Sequence, residues 1–107
     1  MENVNNKKKY ICRVCGYRNS DAFYDESGYP EYEICPCCGA ESGYQDCTPE
    51  SAEINRRRWL QEGTPWHADE WVQKGIKLDK FDLKPENWNL EEQLRTIGVQ
   101  LKDYQKE

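Results

Sequence analysis

Six cysteines hold the densest chemistry in this chain: Cys12, Cys15, Cys35, Cys37, Cys38 and Cys47. Cys12 and Cys15 form a C-x-x-C-G unit ending in Gly16, and Cys35 and Cys38 form a second ending in Gly39. Nineteen residues lie between Cys15 and Cys35. A four-thiolate zinc site spaces its two pairs by about 15–20 residues. The units repeat beyond cysteine, since Tyr10-Ile11-Cys12 matches Glu33-Ile34-Cys35. Two residues between thiols let one tight turn aim both sulfurs at one ion, roughly 2.3 Å from each. The glycine that follows permits a positive φ that other residues resist. Two such turns face to face complete a tetrahedron, so Cys12, Cys15, Cys35 and Cys38 are the expected metal ligands.

A disulfide framework is the competing use of six cysteines. It requires an oxidising compartment, and the N-terminus shows no apolar leader core. A thioredoxin-like redox pair would need a βαβ pattern around a C-x-x-C, and neither unit has one. Cys37 and Cys47 are left as unligated thiols. A Cys37–Cys47 redox pair, or a second metal site including His67, is the sharper alternative. His67, the single histidine, is expected at an exposed helix start; Cys–His catalysis would require it to meet Cys47.

The segment Tyr10-Ile-Cys-Arg-Val-Cys-Gly-Tyr17 resembles the first knuckle of rubredoxins, and Cys35-Pro-Cys-Cys-Gly-Ala40 resembles the second. The interval between them is shorter than in that family. Tyr32-Glu-Ile-Cys-Pro-Cys-Cys-Gly39, followed by Arg58-Trp59, Gly63 and Trp66, is similar to the small bacterial cysteine-rich CPCC proteins. The resemblance spans residues 10–66 and implies a metal site with no defined reaction. Rubredoxin likeness implies one iron and electron transfer as an alternative.

The elements that must position these thiols can be read in outline. Asp25-Glu26-Ser27-Gly28 is a turn. Tyr32 and Ile34 alternate with Glu31 and Glu33 as a short half-buried strand, with Lys9-Tyr10-Ile11 pairing beside it. Thr48-Pro49 and Thr64-Pro65, closed by Gly63 and Gly75, mark helices at 49–62 and 65–74. Asn89 with Glu92 caps a third helix, whose stripe is Leu90, Leu94, Ile97, Leu101 and Tyr104. That stripe packs on the protein's own core or forms a weak dimer seam. Trp59, Trp66 and Trp71 fill the helical core, and Arg56, Arg57 and Arg58 make a salt-bridged helix surface. The expected architecture is a small metal-bound α+β fold. A flexible basic segment at 1–9 leads into a rubredoxin-like or zinc-ribbon knuckle module with a short β-hairpin at 10–47. A part with about three α-helices follows at 48–107.

Composition narrows the function. Leu, Ile, Val and Phe supply seventeen of 107 residues, too few for a large core, so a metal must help hold the fold. No apolar stretch can span a bilayer. The net charge is -5, and residues 10–53 carry nine acids against Arg13 and Arg18. Phosphate binding needs clustered cations, so a nucleic-acid-binding zinc ribbon is disfavoured. A closed four-thiolate site keeps no position open for water, so no enzyme activity is expected. The sequence therefore reads as a cytoplasmic zinc protein with a structural site and a protein partner, a monomer or weak dimer. Iron is the alternative metal.

Overall fold

Two turns of the same build dominate the first half of the computed structural model, which describes residues 8–80 and 82–104. In the first, Gly16 N–H donates to the Cys12 carbonyl at 2.9 Å and Cys12 N–H to the Tyr17 carbonyl at 2.9 Å. In the second, Gly39 donates to Cys35 at 2.8 Å and Cys35 to Ala40 at 2.9 Å. Both closing glycines are left-handed, with φ of 86° and 84°. The sequence repeat is thus also a repeat of backbone hydrogen bonds.

The expected hairpin between Lys9–Ile11 and Tyr32–Ile34 is not formed among the described residues. Three isolated antiparallel bridges stand in its place: Ile11 with Arg18, Tyr24 with Pro30, and Ile34 with Glu41. Tyr32 sits at φ 55°, so the chain leaves the extended region before Ile34. The carbonyls of Lys9 and Tyr10 accept instead from Phe23 and Asn19. Tyr32 and Ile34 face solvent rather than the core. Residues 1–7 of the expected basic tip lie outside the described residues. Lys9 is held by its carbonyl and by its ammonium, 3.8 Å from Glu26.

Three helices follow: α1 (Pro49–Gln61), α2 (Ala68–Gln73) and α3 (Leu90–Arg95), then a 3-10 turn at Leu101–Tyr104. The Thr48 hydroxyl accepts from Ser51 N–H and the Asn89 carboxamide oxygen from Glu92 N–H, each at 3.0 Å. These are the caps the sequence marks. Each helix ends in a Schellman motif. Thr64 N–H bonds to Trp59, Ile76 to Trp71 and Val99 to Leu94, across Gly63, Gly75 and Gly98.

Two helix expectations change. Thr64 is not a cap for a helix at 65–74; its φ of 54° continues the α1 terminus, its hydroxyl bonds back to Gly63, and α2 begins at Ala68. The third helix does not run through Gly98. At φ 74° that glycine stops α3 after two turns, and only Leu94 of the stripe is fully buried.

The core is one aromatic cluster that joins both halves of the chain. Trp59 and Trp66 are buried and Trp71 partly so, as expected, and Trp88 joins them. Trp88 contacts Trp59 at 6.3 Å and Trp66 at 6.1 Å, both edge to face, and Tyr17 meets Trp66 at 5.3 Å. The indole N–H groups of Trp59, Trp66 and Trp88 all find oxygen acceptors, which removes the penalty of burying them. No helix among the described residues is long and apolar enough to cross a membrane.

Candidate metal centre

The two turns bring the sulfurs of Cys12, Cys15, Cys35 and Cys38 within 4.8 Å of one another. Across the turns, Cys12 Sγ is 3.6 Å from Cys38 Sγ, and Cys15 Sγ is 3.7 Å from Cys35 Sγ. A tetrahedron with thiolate arms of roughly 2.3 Å has edges of about 3.8 Å. A disulfide would require about 2.05 Å. The four sulfurs therefore have the spacing of a cluster that can hold a metal ion. Cys12, Cys15 and Cys35 are buried, while Cys38 keeps a partly open side. These are the four cysteines expected from the spacing, and among the described residues no other cluster of potential ligands forms.

The environment sets which sulfurs carry charge. Cys12 is held well below the usual thiol range because it accepts hydrogen bonds from Cys15, Cys35 and Cys38. Burial pushes the Cys15 and Cys35 thiols well above it. Cys38 is raised by its hydrogen bond with Cys12.

Each turn is fixed by the carbonyls that face away from the sulfurs. Arg56 on α1, expected on a salt-bridged surface, is buried instead. Its Nε donates to the Val14 carbonyl at 2.7 Å, its Nη2 to the Arg13 carbonyl at 3.0 Å and its Nη1 to the Tyr104 hydroxyl at 3.0 Å. A trans peptide points its N–H opposite to its C=O. Holding the Arg13 carbonyl on the α1 side thus turns Val14 N–H toward Cys12 Sγ, 3.4 Å away. The second turn has no arginine. Its equivalent carbonyls, those of Pro36 and Cys37, accept from the backbone N–H groups of Ala68 and His67 at 2.9 and 3.0 Å. A guanidinium on one side and the start of a helix on the other do the same job. Of the three arginines, Arg57 does pair with Glu53, while Arg58 bonds Asn55.

Two contacts from α3 complete the frame. Gln93 Nε2 donates to the Cys15 carbonyl at 3.0 Å and to Cys37 Sγ at 3.4 Å, while its Oε1 accepts from Trp88. Thr96 Oγ1 shares its one proton between the Gln93 carbonyl at 2.6 Å and the Gly16 carbonyl at 3.1 Å. A Cβ on Gly16 would overlap the Gln93 carbonyl oxygen, whereas one on Gly28 meets nothing within 4 Å. Both glycines have positive φ, so each alanine costs about 1 kcal/mol in backbone strain. Gly16→Ala must also displace α3, and its total is expected to reach about 3 kcal/mol or more. Urea midpoints of the two variants measure the difference.

Cys37 is fully buried and Cys47 is exposed, so the two do not meet as a redox pair. His67 is half-buried rather than exposed. Its ring packs edge to face on Trp71 at 5.7 Å and lies where a Cβ on Gly39 would stand. In the metal-loaded protein, iodoacetamide is expected to modify Cys47 alone and leave the metal bound. Peptide mapping by mass spectrometry checks this, and early modification of Cys37 would contradict it. Sequence reading missed Arg56, Gln93 and Thr96, because each acts on backbone carbonyls, which have no sequence signature.

No family model matches the sequence. The chain is 26% identical over 119 residues to the uncharacterized protein YoaQ of Bacillus subtilis (strain 168), an alignment covering 92% of this chain and 95% of YoaQ. It is 29% identical over 123 residues to the uncharacterized protein YozI of the same organism, covering 92% of this chain and 93% of YozI. No solved structure matches. The chain is thus similar along nearly its whole length to two bacterial proteins, and it carries a four-cysteine cluster that can hold a metal ion.

Proposed function

We propose that Cys12, Cys15, Cys35 and Cys38 bind one zinc ion as a structural, rubredoxin-like or zinc-ribbon centre, and that the metal-folded chain is a cytoplasmic protein-interaction module. The observation that carries this is the closure of the site: four sulfurs within 4.8 Å, three of them buried. Four thiolates fill a tetrahedron and leave no position for a substrate or a water. The role is therefore non-catalytic, and the ion's contribution is folding energy. Membership of the cysteine-rich CPCC proteins is part of the same proposal and rests on Tyr32–Gly39 followed by Arg58-Trp59, Gly63 and Trp66.

A second reading, an iron-thiolate electron carrier, draws on the partly open face of Cys38, through which an electron could leave. Purified protein separates the two. A colourless product with one zinc per chain supports the structural reading, and a red product that bleaches on reduction supports the carrier. Metal counts on serine variants test the ligands: Cys38→Ser loses the ion and Cys37→Ser keeps it. The reverse pattern would overturn the assignment. Capture of a protein from native cytoplasm by the metal-loaded chain, but not by the chelated chain, tests the interaction role.

A further inference from the structure

A cavity of about 130 Å³ reaches the cysteine cluster on the side of Cys38. Cys38, His67, Glu62, Glu70 and Arg58 stand in its wall. Cys12, Cys15 and Cys35 are buried, so Cys38 is the candidate ligand that borders this space. Sites for organic ligands are larger, about 300–1,000 Å³. A partly hydrated ion fits. His67 N–H donates to the Cys37 carbonyl at 3.0 Å, and its ring Nδ1 lies 2.5 Å from where a Cβ on Gly39 would stand. The missing side chain of Gly39 thus lets the imidazole sit over the residue that follows Cys38. Neither ring nitrogen has a hydrogen-bond partner among the described residues, and the nearest acceptor to Nδ1 is Glu70 Oε2 at 3.7 Å. Nitrogen and oxygen donors on one tetrahedral zinc, each 2.0–2.2 Å from it, lie roughly 3.4 Å apart. Three residues apart at the start of α2, His67 and Glu70 share one face.

The charge of the wall suits a cation. Two carboxylates, Glu62 and Glu70, face one guanidinium, that of Arg58, which donates to the Asn55 carboxamide oxygen. A cleft with an excess of one sign concentrates ions of the other. We propose that this cavity is the port through which zinc leaves the folded centre, with the His67 imidazole and the Glu70 carboxylate receiving it. The inference rests on the zinc reading above and adds a route of exchange to that centre. The Cys38 sulfur releases the ion first, keeps the bonding electron pair and takes a proton from water. A lone pair of His67 and one of Glu70 fill the places it leaves, before the buried sulfurs let go. The ion stays divalent throughout. A chain with such a port hands its zinc to an acceptor without unfolding.

The test mixes the full zinc-loaded chain with excess pyridylazoresorcinol and follows zinc transfer by stopped-flow absorbance. His67→Phe keeps a ring against Trp71 and removes the nitrogens, and Glu70→Gln removes the carboxylate charge. The double variant should transfer zinc about tenfold more slowly. Its equilibrium zinc affinity, measured by competition, should move less than about twofold, since neither residue holds the ion at rest. A packing role alone would act the other way, speeding release and weakening affinity. Urea below the unfolding transition should leave the wild-type rate unchanged. Glu91→Gln, exposed on α3 and absent from the cavity wall, should change the rate less than about twofold. Wild-type rates in the double variant, faster release with weaker affinity, or a rate that climbs with urea would overturn the port. Metal counts judge the zinc reading separately. One zinc per chain in both proteins with equal rates keeps the centre and removes the port, whereas a wild-type chain that takes no zinc refutes both.

Discussion

Chelating the metal under reducing conditions is expected to unfold residues 10–47 and to take α2 and α3 with them. Ordering each residue costs about 1–2 kcal/mol of backbone entropy, and this segment has few buried apolar groups to oppose it. Structural zinc supplies roughly 10–16 kcal/mol at neutral pH. The short helices cannot stand alone, because helices under about 12 residues are marginal in water. Each has six residues and leans on a cysteine turn, α2 through the Pro36 and Cys37 carbonyls and α3 through Gln93 and Thr96. Only α1, with thirteen residues, is long enough to keep residual helix. Loss of amide dispersion from both regions on adding chelator is the expected record. A native-like spectrum without metal would refute the link between the ion and the fold.

Acid should act as a chelator does. A thiol bound to metal has its pKa depressed below the free value of about 8.5. A group depressed on folding contributes stability above its unfolded pKa and loses it as pH falls through the folded one. The unfolded metal-free chain carries its four thiols protonated below about pH 8.5, and a metal ion must displace those protons on binding. Apparent affinity then falls steeply, by more than about tenfold per pH unit, in mild acid. Metal competition at successive pH values measures that slope, and an affinity independent of pH would contradict thiolate ligation.

The cysteine cluster was legible because two sulfurs three residues apart, followed by glycine, encode their own turn. Helix ends were legible wherever a side chain or a glycine makes the cap, as at Thr48, Asn89, Gly63 and Gly75. What failed depended on distant partners. Tyr32 and Ile34 alternate like a strand, yet Tyr32 adopts a left-handed backbone where its ring and Pro30 lie against Gly43, contacts that no alternation pattern encodes. Arg56 sits in a run of three arginines, and only the arrival of α1 beside the Arg13–Val14 peptide distinguishes it from its neighbours. The heptad-like stripe after Asn89 promised a longer helix, but Gly98 acts as a terminus because the backbone there is left-handed.

Replacing Arg56 by Met should lower the stability of the metal-loaded protein by about 2–5 kcal/mol. The side chain is 8% exposed and serves two loop carbonyls together with the Tyr104 hydroxyl. Each buried acceptor left without a partner costs roughly 1–3 kcal/mol. Met restores much of the volume, so the loss isolates the hydrogen bonds. Arg56→Lys reaches one carbonyl at most, having no planar fork, and should recover less than half. Arg58→Met, on the exposed side of α1, should stay within about 0.5 kcal/mol. Urea denaturation orders the three variants. Faster metal transfer to a chromogenic chelator in Arg56→Met would show that the guanidinium also holds Val14 N–H toward the Cys12 sulfur. Equal stability of the Arg56 and Arg58 variants would rule out the clamp.

The tryptophan cluster gives this protein an optical signature of its own state. Trp59, Trp66 and Trp88 lie edge to face at 6.1–6.3 Å along the two contacts that link them. Indoles this close and this fixed couple their transitions and produce strong near-ultraviolet circular dichroism, which vanishes when packing loosens even if helices persist. Trp88 reaches the Cys15 carbonyl through one side chain, Gln93, so ring order and sulfur geometry change together. The chain therefore reports its metal occupancy in the light its own indoles absorb, and a titration can be followed without a dye or a label.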